Sequence, residues 1–382
     1  MVWIEILLLR PIFQLAEQYI SGTTLIYSLF VLVSFFVSLL KGRLRLDVVS
    51  ILFLGYIAVS SLISFLYGAA PSVLVATFNK LLLFFALMQI LRLEHISFEH
   101  SFLLRFLSIA AYVQAVFVIV SLVLPSSYEA TWGVRTFVMR FSSQHLTAAY
   151  IASLLGSILF EMKYVKAFKP SVAFVASTGL LYALLMTGAR TITACGAALY
   201  LIALYSYIIQ LDRRGRLIVG AVLVGSIAGI VLLNADQFVF FQKNQSINGS
   251  ISNGRDEIWE FYLNVLTQSN LLELMFGHGC GFYSSGQAFF VGAHNDFITF
   301  AVSYGLTGLA LFVMYLFSSF CSLGSRTIRL VLIGLVAFSA FSNGFCDYTD
   351  LVLAIVLTGI VFKRNNEVSK PGLNRLQLRR SV

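Results

Sequence analysis

Charge is what this 382-residue sequence has least of: 11% of its side chains are charged, under half the roughly 25% of a soluble domain. With 59% apolar residues and a mean hydropathy of +0.88, a soluble globular protein is excluded. Proline is scarce too, five in all, so little interrupts the long apolar runs. The four cysteines (Cys195, Cys280, Cys321 and Cys346) show neither CxxC nor metal-ligand spacing, which argues against a zinc site and against a disulfide framework. Acidic residues are fewer than basic ones, 17 against 26. The resulting +9 charge does not point to nucleic acid, because the basic residues sit in short segments between apolar runs, where membrane topology explains them. No basic stretch precedes the first apolar run, which itself carries Glu5 and Arg10, so a removable signal peptide is not expected.

What is present is a series of apolar stretches of membrane-spanning length, at 23–40, 47–68, 71–93, 102–125, 143–162, 170–189, 191–210, 217–234, 294–317, 325–343 and 345–362. A twelfth, 2–20, holds Arg10, Pro11 and Glu17 and reads either as a kinked span inside the bundle or as an interfacial helix. Counting it as a span puts most lysines and arginines on one side, with Arg135, Arg140, Arg190, Lys243 and Arg255 opposite. The expectation is an all-α polytopic membrane protein of about twelve transmembrane helices. It comprises one domain over 1–362, with both termini in the cytoplasm and a basic cytoplasmic tail at 363–382. Two outer loops exceed a simple turn, 126–142 and the large 235–293. In the larger one, Ile258, Phe261, Tyr262 and Val265 recur at helical spacing with Asp256, Glu257 and Glu260 opposite, predicting an amphipathic helix lying on the outer membrane surface. GHGCGF (277–282) predicts a turn or a close backbone approach.

The informative cations are those on the side that membrane topology discourages. Arg190 sits in TGAR between two spans with almost no loop. It either snorkels to headgroup phosphates or offers a guanidinium fork to a phosphate or pyrophosphate. Arg255 opens the amphipathic helix and has Asp256 and Glu257 as neighbours. Arg135 and Arg140 flank the smaller loop and read as solvated or as substrate contacts. Lys80, beside Asn79 within an apolar run, needs either a polar cavity or a partner such as Glu17. His294, followed by Asn295 and Asp296, stands where the long loop re-enters the membrane. A histidine there can take a proton near neutral pH. No histidines share the i, i+4 spacing of a metal site, and no metal or cofactor is expected.

GRDEIW (254–259), FGHGCGF (276–282) and AHNDFITFAVSYGLTGLALF (293–312) together resemble the signature of the Wzy-type O-antigen polymerase and O-antigen ligase superfamily. LLMTGARTITA (184–194) is similar to that family's span ending in a small residue and arginine, with Ala189 where serine is common. MRFSSQHLTAAYI (139–151) is similar to an earlier span entry, with Gln144-His145 in place of the usual asparagine. The resemblance implies a GT-C-like glycosyltransferase of the bacterial inner membrane. It would use an undecaprenyl-pyrophosphate-linked oligosaccharide on the periplasmic face, among membrane lipids and alongside a polysaccharide chain-length regulator. It assigns the pyrophosphate to Arg190 and Arg255 and acceptor activation to His294. Arg135, Arg140, Lys80, Asn295 and Asp296 are, from the residues themselves, the further candidate substrate contacts.

Within that superfamily the HNDF re-entry looks more like the polymerases than the ligases, although the Arg-x10-Gly pattern of some polymerases is absent after Arg135, Arg140, Arg190 and Arg255. A transporter of lipid-linked oligosaccharide and a non-catalytic assembly subunit are the competing classes. Transporters place charges near the midplane and show related halves. Here the conspicuous charges cluster at the span boundaries and no internal repeat is evident. Cys280 and Cys346 would share the outer side, where a disulfide between them could form.

Overall fold

The structure, a computed structural model, describes residues 3–42, 44, 46–66, 68–92, 101–131, 134–208, 215, 255–280, 282, 293–321, 323, 325–342 and 344–362. The expected span at 217–234, the loop portions 235–254 and 283–292, and the tail after 362 lie outside the described residues. The chain is a helical membrane protein. Among the described residues, seven helices are long and apolar enough to cross a membrane, since 18 residues at 1.5 Å each reach about the 30 Å of a hydrocarbon core.

In chain order the helices are α1 (Trp3–Ala16), α2 (Thr23–Leu40), α3 (Val48–Leu66), α4 (Pro71–Gln89), α5 (Ser101–Ser121), α6 (Gln144–Phe160), α7 (Pro170–Thr187), α8 (Arg190–Ile208), α9 (Arg255–Gln268), α10 (Leu271–Phe276), α11 (Asp296–Phe320), α12 (Arg326–Ser342) and α13 (Thr349–Val361). The 2–20 segment resolves as α1, only 14 residues long with Pro11 inside it. Its Glu5, Leu7, Leu8 and Arg10 are buried, so it packs into the bundle rather than lying at the interface.

Burial sorts the helices. Every residue of α13 from Asp350 onward is buried, and α6 is buried along nearly its whole length. The two cross closely because Gly156 has no side chain: a Cβ there would lie 2.8 Å from the Ala354 Cα. By contrast α2 exposes Leu29, Phe30 and Val33, and α3 exposes Leu62, Phe65 and Leu66. Such faces suit hydrocarbon rather than water.

Three local features depart from the sequence expectation. Within 126–142 the chain forms a two-stranded antiparallel hairpin, β1 (Tyr128–Thr131) and β2 (Val134–Phe137), with Tyr128 opposite Phe137. This small hairpin is an addition to an otherwise helical fold, which remains consistent with an all-α polytopic membrane protein. Second, the amphipathic helix α9 turns its apolar face to protein. Its Tyr262 is fully buried with Phe282, Ala293 and Val302, and Ile258, Phe261 and Val265 pack on the same cluster. The face expected to meet lipid is spent on α11.

Third, α11 is broken at Gly305, whose φ of 67° and ψ of −177° are not helical. A break inside a membrane helix frees carbonyls that lipid cannot satisfy. Here the GHGCGF segment satisfies them. His278 N donates to Val302 O at 2.8 Å, Gly279 N to Ser303 O at 3.0 Å, and the Tyr56 hydroxyl to Tyr304 O at 2.7 Å. Gly277 and Gly305 let the two backbones meet, since a Cβ on either would run into the other strand of chain.

Candidate functional site

The α7–α8 junction places Arg190. Helix α7 stops because Gly188 takes a left-handed conformation at φ 67°, Ala189 is buried, and α8 begins at Arg190 itself. This two-residue link holds the guanidinium at the mouth of the bundle, half-buried.

Helix α9 brings Arg255 to the same place. Its guanidinium donates to the backbone carbonyl of Ser342 at the end of α12, and the hydroxyl of that residue is 3.0 Å from the Thr191 hydroxyl, one residue after Arg190. Burial lowers the Arg255 pKa, the neighbouring Tyr348 phenol acts against that shift, and the Arg190 charge adds to it. Ser342 thus links the start of α8 to the start of α9, and the two arginine charges lie close enough to influence one another. Like charges held together in this way suit an anion that both can bind.

His294 completes the group. Its backbone lies in the left-handed region at φ 48°, a conformation that costs a non-glycine residue of order 1–3 kcal/mol. The turn is held from both sides. Trp259 of α9 donates its indole N–H to the Ala293 carbonyl at 2.9 Å, and Asn295 caps α11 by accepting from Ile298 N at 3.2 Å. Burial first, then the Arg255 charge, pushes the His294 pKa below its ordinary 6.5. At neutral pH the ring is uncharged and able to accept a proton.

The other expected contacts divide. Asn295 and Asp296 are buried and do structural work. Asn295 is the helix cap, while Asp296 accepts from the backbone N–H groups of Phe345 and Cys346, the latter at 2.9 Å. The Asn295 Oδ1 and the Asp296 Oδ2 thus have structural partners within the chain. Lys80 pairs with Asp347, each side chain 43% exposed, and not with Glu17. Glu17 instead receives Thr24 N at 2.8 Å and Gly22 N at 2.9 Å. These and the Thr23 and Thr24 hydroxyls outweigh the cost of burial, so its pKa falls to about 2. Arg135 and Arg140 are both exposed, lying over Tyr128 at 4.4 Å and over Tyr19 at 5.2 Å respectively. Cys280 and Cys346 are both buried and free, so no disulfide links them.

The turn between α12 and α13 supplies what the sequence reading missed. Ser342 anchors Arg255, Asp347 meets Lys80, and Tyr348, whose charge state influences Arg255, has its ring centroid 6.2 Å from that of His145. The signal was FCDYTD (345–350), with two aspartates in an otherwise apolar stretch. An apolar groove of about 910 Å³ between α3, α10 and α11, lined by Ile51, Tyr56, Met275 and Leu306 among others, shares no residue with this group and has no charged lining. Among the described residues no cluster of three or more histidine, cysteine or acidic side chains could hold a metal ion. In comparison with known proteins, the chain matches no protein-family model and no curated protein sequence.

Proposed function

We propose that this protein is a glycosyltransferase that polymerises undecaprenyl-pyrophosphate-linked oligosaccharide repeat units into O-antigen or another surface polysaccharide. The observation that supports this most is the arrangement around α9: Arg255 bonds the Ser342 carbonyl, Ser342 meets Thr191 beside Arg190, and Trp259 bonds the Ala293 carbonyl beside His294. In this reading the protein has about twelve spans in a bacterial inner membrane. Both termini lie in the cytoplasm, and the site and the 235–293 loop face the periplasm. The motif resemblance at 254–312 points the same way.

The chemistry asks for two things that these side chains can provide. The acceptor hydroxyl attacks the anomeric carbon of the donor sugar. A C–O glycosidic bond forms as the C–O bond to the pyrophosphate breaks, and undecaprenyl pyrophosphate leaves. Arg190 and Arg255 hold the leaving pyrophosphate and stabilise the negative charge it gains. His294 takes the proton of the attacking hydroxyl, a transfer worth roughly 10²–10⁴ in rate.

The lowered pKa of His294 sets the sign of a pH effect. A base must be unprotonated, so activity should fall on the acid side with a midpoint below 6.5. Arg255→Gln removes a positive charge that disfavours the imidazolium. The acid midpoint of its residual activity should therefore move up towards 6.5. Rate profiles of polymer formation between pH 5 and 8 would show this, and an unmoved midpoint would take His294 out of the base role.

Gene deletion in the host separates this reading from its nearest alternative, an O-antigen ligase acting on the same donor. Loss of a polymerase leaves single repeat units on lipid A core. Loss of a ligase leaves polymer on its carrier lipid above bare core. Complementation with His294→Ala at normal protein level should fail to restore long chains.

A further inference from the structure

The most buried ion pair among the described residues lies outside the group just assembled. Arg10 of α1 reaches across 340 residues of sequence to Asp350 in the first turn of α13, with Nε–Oδ1 at 3.1 Å and Nη2–Oδ2 at 2.9 Å. The side chains are 8% and 3% exposed, and the guanidinium also lies over the Tyr27 ring at 5.2 Å. A buried pair of this kind contributes little net stability, because desolvation offsets its attraction. Its retention in an apolar bundle therefore calls for a use other than holding α1 to α13.

Its position supplies one. Asp350 follows directly on the turn that serves the site, where Phe345 and Cys346 donate to Asp296, Asp347 meets Lys80, and Tyr348 lies against Arg255 and His145. One end of that turn is tied to α12, where Gly344 N donates to Ser339 O at 3.0 Å. The other end runs into α13, where Leu351 N and Val352 N both donate to Tyr348 O. A bidentate fork is directional in a way that apolar packing is not, so it fixes the rotation of the first turn of α13 and with it the Tyr348 ring.

We propose that Arg10 and Asp350 are positioning residues: their fork, delivered by α1, holds the 344–348 turn so that Asp347 and Tyr348 face Lys80, Arg255 and His145. This inference rests on the site reading above, and its first readout does not depend on activity. Cys346 lies in the turn at 4% exposure, while Cys195 on α8 is fully buried elsewhere in the bundle. In full-length protein carrying Cys280→Ser and Cys321→Ser, a membrane-permeant maleimide then reports the turn through Cys346 and the bundle through Cys195.

Asp350→Asn keeps the shape of the side chain, and Arg10→Gln with Asp350→Asn leaves no unpaired charge, so at least one variant should accumulate normally. Asp350→Asn is expected to speed Cys346 labelling by roughly tenfold or more, as one partner of a buried pair is lost, while Cys195 stays protected. The neutral double variant should do the same, because it restores neither charge nor fork. Polymer output should fall in step. Unchanged labelling of Cys346 would overturn the clamp, and so would equal opening of Cys195, which would make the pair a support of the whole bundle. Faster Cys346 labelling with undiminished polymer would leave the clamp in place and overturn the site reading on which it was built.

Discussion

Replacing Arg190 with lysine is expected to cut polymer formation about 10²-fold while the amount of protein in the membrane stays level. The change keeps the positive charge and removes the planar fork. If Arg190 merely snorkelled to headgroups, an ammonium would serve as well and output would hold. The structure makes the fork reading specific. Arg190 begins α8 after a two-residue link, its charge acts on Arg255, and the Arg255 charge acts on His294. A lysine ammonium offers one point of charge where a pyrophosphate has several oxygens to hold. Quantified polysaccharide gels, with immunoblots of the membrane fraction, measure both quantities at once. Wild-type chain length and amount from Arg190→Lys would return the residue to the snorkelling role.

The second large effect concerns folding. Gly305→Ala should destabilise the protein by about 2–5 kcal/mol, combining the cost of a left-handed non-glycine residue with overpacking. The added Cβ would strike the Met275 carbonyl and the Phe276 nitrogen. These are main-chain atoms, so no rotamer change relieves the clash. The GHGCGF segment would have to move away from α11, and the carbonyls of Val302 and Ser303 would lose the N–H groups of His278 and Gly279. A control lies nearby: Gly334 on α12 has open space where a Cβ would go. Gly334→Ala should leave stability unchanged or raise it by up to about 1 kcal/mol. Thermal unfolding of the two variants in detergent, compared with the parent, distinguishes them. Equal melting of both would mean that the broken-helix contact does not hold the loop.

Much of the architecture was legible because a membrane leaves few alternatives. Apolar runs of 18 residues or more must be helices in lipid, and the long helices fall on such runs. The helical period of Ile258, Tyr262 and Val265 likewise gave α9. What the period could not say is which medium the apolar face meets, since α11 and hydrocarbon satisfy a tyrosine and a valine equally. The hairpin at 128–137 was hidden for a related reason. Two four-residue strands leave almost no alternation to read. Gly305 sits between apolar halves that read as one span, and only the proximity of Gly277 turns it into a break.

The site was half visible for an electrostatic reason. Arginines on the side that topology disfavours stand out in a chain with few charges, which singled out Arg190 and Arg255. The same rule also drew in Arg135 and Arg140, which the structure places over the Tyr128 and Tyr19 rings. Asp347 and Asp350 escaped notice because the positive-inside rule weighs cations and ignores carboxylates. Their partners, Lys80 and Arg10, are hundreds of residues away in the chain, a pairing that no local pattern encodes.

The most direct test of the central claim is reconstitution of the purified protein in vesicles with an undecaprenyl-pyrophosphate-linked repeat unit as sole substrate. The account predicts a ladder of longer carrier-linked glycans, with one undecaprenyl pyrophosphate released for each bond formed, and loss of both products with His294→Ala. Repeat units that cross the vesicle membrane without lengthening, or a substrate that remains unchanged at every pH tried, would contradict it.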